Sequence, residues 1–100
     1  MPTAPAPVMP ATDTVVVRSP RALWRAGAFG VVVLGPDAPT PLVLEGTGVD
    51  LWEALAVPQS LTELAMALGA RYAVDAELVA RDIGPVVDAL VGSGACEVSR

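Results

Sequence analysis

The sequence predicts an α+β domain: a three-stranded antiparallel sheet followed by three α-helices. Three observations carry this reading. Short β-branched segments bounded by Gly and Pro fill the first half of the chain. After Gly46 the apolar residues recur at helical spacing. Helix-start signatures at Ser60 and Asp75 then divide the second half into short, closely linked helices.

Residues 1–14 open with "MPTAPAPVMPAT" and hold four prolines; they read as a disordered Pro/Ala-rich tail. Residues 15–100 read as one folded domain. "VVV" at 15–17 and "ALWR" at 22–25 are extended, separated by Ser19-Pro20, because a residue before proline avoids the α region. "FGVVVLG" at 29–35 is the clearest strand. "PLVLEG" at 41–46 follows after the turn-rich "GPDAPT", which predicts a hairpin. Thr47 with Asp50 predicts a capped helix with Val49, Trp52, Leu55 and Ala56 on one face, ended by Pro58.

Ser60 and Glu63 form an S-x-x-E capping box, and Leu61, Leu64, Ala65 and Leu68 follow as one apolar stripe. Arg71 suits the C-terminal end of that helix. Asp75 caps the third helix, which carries Val79, Ile83, Val86, Val87, Leu90 and Val91 on a broad apolar face. Glu77 and Arg81 are spaced for an i, i+4 pair. Pro85 removes one backbone bond and predicts a kink. "GSG" at 92–94 ends the helix, and "ACEV" predicts a short terminal strand.

Strands followed by three short helices make a winged helix-turn-helix plan, which often serves DNA. The charges argue otherwise. The chain has no lysine, six arginines and a net charge of −5. Residues 75–93 carry Asp75, Glu77, Asp82 and Asp88 against Arg81, where a groove-reading helix needs cations and amides. Nucleic acid and anionic membranes are therefore disfavoured. No stretch reaches the ~20 apolar residues of a membrane span, and the N-terminus does not read as a signal peptide; the expected setting is cytoplasmic. The chain has no histidine and a single cysteine, Cys96. No metal, no cofactor and no enzymatic activity are expected. Cys96, Trp24 and Trp52 read as packing residues. Asp50 and Glu53 read as cap and helix surface rather than, with Glu45, as an acid–base set.

From about Val17 to Val98 the chain resembles the PqqD-like family, also called RiPP recognition elements. "RALWR", "VVVLGP" and "PLVLEGTGVDLWEAL" resemble its three strands and first helix. "SLTELAMALGARYAVD" and "DAELVARDIGPVVDALVGSGACEV" resemble its second and third helices and their ending. The chain departs from the family at Leu44-Glu45, where members often carry Leu-Asn.

The resemblance implies a non-catalytic adaptor, a peptide chaperone of natural-product biosynthesis. Such an adaptor binds the leader of a ribosomally made precursor peptide by β-strand addition. It presents the leader to a modifying enzyme such as a radical SAM protein, a peptidase or a cyclase. The edge would be Leu42, Val43, Leu44 and Glu45. Val79, Asp82, Ile83 and Val86 of the third helix would line the groove, with Asp82 facing a basic leader residue. An open edge is also a route to a homodimer. The alternative reading is a winged-helix regulatory or dimerisation domain, DNA-associated in one form.

Overall fold

A computed structural model describes residues 14–99. Strands β1 (Val15–Arg18), β2 (Leu23–Gly27), β3 (Gly30–Leu34) and β4 (Leu42–Leu44) come first. Helix α1 (Thr47–Ala54), the two-residue β5 (Gln59–Ser60), α2 (Leu61–Tyr72), α3 (Ala76–Gly92) and β6 (Cys96–Ser99) follow. Apart from Thr14, the expected tail lies outside the described residues.

The expected sheet is β2-β3-β4, an antiparallel meander. A second antiparallel sheet of order β5-β1-β6 stands beside it, with Val16 of the central strand opposite Gln59 on one side and Val98 on the other. The Ser19-Pro20 turn separates β1 from β2 as the pre-proline restriction requires; the Ser19 hydroxyl accepts from the Arg21 N–H at 3.1 Å.

One core joins both sheets and the three helices. Val16, Val31, Val33, Leu44, Leu51, Trp52, Leu55, Leu64, Ile83, Val87 and Leu90 are buried in it. Each fully buried aliphatic side chain contributes about 1.5–3 kcal/mol over its exposed state. The α2 stripe is buried as the spacing predicts: Leu61, Leu64, Ala65 and Leu68 all face inward. On α3 the innermost positions are Ile83, Gly84, Val87 and Leu90, flanked by half-buried Val79, Val86 and Val91.

The local caps explain the helix starts. Ser60 and Glu63 make both arms of the capping box, at 3.0 and 2.8 Å. Asp75 caps α3 by accepting from the Glu77 N–H at 2.9 Å. For α1 the cap lies one residue earlier than the sequence suggested. Gly46 is the N-cap, with φ of 57°, Thr47 is already helical, and no side chain caps the end. Leu51 joins Trp52 and Leu55 in the core, and Ala56 is exposed. The expected Glu77–Arg81 pair is not formed; the ion pair among the described residues is Arg71–Asp50 at 3.6 Å. α3 runs through Pro85, which is exposed.

The turn after β3 is tied to the end of α3. The Asp37 N–H donates to the Ser93 carbonyl at 2.9 Å. Gly35 is buried against that same carbonyl, so closely that a Cβ at residue 35 would overlap it. The hairpin leading to β4 is thereby anchored to the helical half.

Candidate functional site

β4 is the outermost strand of its sheet and pairs with β3 alone among the described residues. Val31 faces Leu44, Val32 faces Val43 and Val33 faces Leu42. Val31 and Val33 are buried, so Leu44 and Leu42 share the inner face, and Val43 and Glu45 turn outward. Leu44 is 6% exposed and Val43 is 57% exposed.

The direction of the β4 backbone follows from Gly30. The Leu44 carbonyl oxygen lies so close to Gly30 that a Cβ there would overlap it, so this carbonyl points at β3. A strand residue sends its N–H and C=O to the same side, and successive residues alternate. Leu42 and Leu44 therefore bond β3, and Val43 turns both backbone groups to the open edge.

β4 runs beside β3 and α1, whereas α3 runs beside α2, β6 and α1. Leu44 and Ile83 both belong to the shared core, and Leu42, Val79 and Val86 are half-buried against it. Val43, Glu45 and Asp82 are exposed. The eight residues thus separate into core members, a half-buried rim and an outer polar and apolar set. Val79, Asp82 and Val86 stand on the turns of α3 around Ile83.

Several features were not legible as site elements. Trp24 is half-exposed and meets buried Trp52 edge to face, centroids 5.9 Å apart. The Arg18 guanidinium lies 5.1 Å from the centroid of each ring. Trp52 Nε1 is buried and has no acceptor among the described residues. An open depression of about 490 Å³ lies on the outer face of β2 and β3, against Leu23, Arg25, Phe29, Val32, Leu34 and Pro41. The run "ALWR" was the available signal, but a tryptophan in a strand reads first as core.

The Tyr72 hydroxyl donates to the Asp50 carboxylate, and this bond raises its pKa above the ordinary tyrosine value. Arg71 reaches the same carboxylate, so Asp50 ties α1 to the end of α2. Burial pushes the Cys96 thiol up to about 12. Among the described residues no cluster of His, Cys, Asp or Glu is arranged to hold a metal ion, and no helix is long and apolar enough to cross a membrane.

Residues 30–95 match the family model described as Coenzyme PQQ synthesis protein D, well over half of the chain. The chain belongs to the PqqD family. Its fold is that of the PqqD truncation of Methylobacterium extorquens PqqCD, solved in solution by NMR. The two are 19% identical, with a TM-score of 0.71 over 87% of this chain and 93% of that one. That protein is described as a functional and stand-alone RiPP recognition element. No curated protein sequence matches the chain.

Proposed function

We propose that this PqqD-family protein is a non-catalytic adaptor that takes up the leader of a ribosomally synthesised precursor peptide as an added strand on β4. It then presents the bound peptide to a modifying enzyme, of which a radical SAM protein, a peptidase and a cyclase are the natural candidates. The observation that carries the reading is the outer position of β4, with the Val43 N–H and C=O turned to the open edge. The recognition role described for the Methylobacterium domain of the same fold supports it.

In β-augmentation the backbone bonds supply affinity and alternate side chains supply selectivity. Val43 would meet the first need. Half-buried Leu42, Val79 and Val86 would grip apolar leader side chains, with Leu44 and Ile83 as the floor beneath them. Exposed Glu45 and Asp82 would favour basic leader residues, in keeping with the net charge of −5. The domain that does this spans residues 15–100, and residues 1–14 precede it.

The test is an anisotropy titration with the leader of a precursor encoded beside the protein, against a scrambled control. The native leader is expected to saturate at micromolar or tighter Kd. Val43→Pro removes the outward N–H and is expected to weaken binding by at least about tenfold, the loss of one well-made hydrogen bond plus a steric block. Val43→Thr keeps the N–H and should bind within a few-fold. Equal affinity for the native and scrambled leaders would sink the adaptor reading. Full affinity in a folded Val43→Pro protein would move the binding edge away from β4.

A further inference from the structure

We infer that the opposite edge of the same sheet, β2, is a second docking surface, built for an acidic extended strand of a partner protein. This goes beyond the leader-binding reading, which concerns β4.

The charges of the chain are separated. Residues 14–36 contain Arg18, Arg21 and Arg25 and no carboxylate, whereas residues 37–99 contain ten carboxylates against Arg71 and Arg81. None of the three arginines is spent on an internal ion pair, since the pair among the described residues is Arg71–Asp50. Arg21 and Arg25 are exposed. Arg18 is held between two indoles, which fixes a guanidinium without neutralising it.

All five residues of β2 are exposed, and β2 pairs with β3 alone. The β3 groups of Val31 and Val33 are used by β4, so those of Gly30, Val32 and Leu34 face β2. Opposite them stand Gly27, Arg25 and Leu23. Trp24 and Ala26 are left with N–H and C=O groups turned to the open side. Exposed sheet edges are normally blunted by proline, a bulge, short length or inward charge. β2 is longer than β4 and has no proline. Leu23 and Phe29 beside it are 69% and 76% exposed. An aromatic and arginine-rich edge with apolar flanks is the composition of a protein interface core.

The charge selects the occupant. A second copy of this chain docked β2 to β2 would oppose arginine to arginine with no carboxylate to pair them, which is destabilising. A strand carrying carboxylates at alternate positions would pair with Trp24 and Ala26 through its backbone, and its side chains on the outer face would reach the exposed Arg21 and Arg25. Leader and partner would then occupy opposite edges of one sheet.

The probe is a dye-labelled capped peptide of alternating Glu and Val, compared with its Lys-Val counterpart. The readouts are anisotropy and amide chemical-shift mapping of the full chain. The Glu-Val peptide is expected to saturate, to perturb the amides of residues 23–27, and to weaken on going from about 50 to about 300 mM salt. Arg21→Glu with Arg25→Glu should cost at least about tenfold, consistent with two lost charge contacts. Val43→Pro should leave this binding intact while weakening leader binding at least about tenfold, so the two readings fail separately. Stronger binding of the Lys-Val peptide, shifts centred on residues 42–45, or preference for a single-stranded oligonucleotide over the Glu-Val peptide would overturn the assignment. The shift map needs no variant and decides the matter even if the double reversal fails to fold.

Discussion

Ala73 ends α2 in the left-handed conformation, φ 55° and ψ 44°, with its N–H bonded to the Gly69 carbonyl. An L-residue with a Cβ is penalised there by about 1–2 kcal/mol, and glycine is not. Ala73→Gly is therefore expected to raise unfolding stability by about 1 kcal/mol, measured by urea denaturation; a loss of stability would mean that the turn is not held this way. Cys96 gives a pH-dependent case. Its thiol is pushed from the usual value near 9.0 up to about 12, chiefly by burial. Between those values the unfolded chain releases the proton first, so the unfolded state is favoured as pH rises. The stability from the neutral thiol is fully present below about pH 9 and is lost above it. Wild type should lose stability faster than Cys96→Ala between about pH 9 and 11; parallel curves would contradict the burial effect. Local chemistry explains what was legible at this scale. The capping box of Ser60 and Glu63 is written in four adjacent residues, and it is formed. The cap of α1 was misplaced because Thr47 is a good capping residue type, while Gly46 caps by its backbone and leaves no side-chain signal.

Elements were legible where a single face had to be buried. The i, i+3, i+4, i+7 stripe of α2 and the apolar face of α3 fix both helices without knowledge of their neighbours. The β2-β3-β4 meander was equally readable, because its β-branched strands are separated by connections rich in Gly, Pro and Asp. The sheet β5-β1-β6 was not. β1 takes its partners from residues 59–60 and 96–99, and no local pattern records so distant a pairing. β5 is two residues long and ends on the Ser60 cap, so it reads as the approach to a helix. The candidate edge follows the same rule. That Leu42 and Leu44 turn one way and Val43 the other comes from strand alternation alone. Which of them offers its backbone outward depends on the register with β3, and only the position of the Leu44 carbonyl against Gly30 decides it.

At the scale of the whole molecule, the two halves are coupled at a small contact away from the β4 edge. Ser93, at the end of α3, receives the Asp37 N–H on its carbonyl and gives its hydroxyl proton to the Leu90 carbonyl. Its hydroxyl oxygen also accepts the Ala95 N–H at 3.3 Å, next to the start of β6. Gly35 fits against the Ser93 carbonyl because it lacks a Cβ. The loop that carries the chain to β4 is therefore located by the end of α3, and the strand edge inherits its position from the helix. Gly35→Val must push these groups apart, and overpacking of this kind costs about 1–3 kcal/mol. Gly27→Ala is the matched control, since nothing lies within 4 Å of a Cβ there, and its effect should stay within about 0.5 kcal/mol. Urea midpoints should separate the two variants. Leader affinity, measured where both remain folded, should fall for Gly35→Val and hold for Gly27→Ala. If Gly35→Val lost stability but bound the leader at full strength, β4 would keep its geometry without the α3 anchor, and the edge would be positioned by β3 and α1 alone.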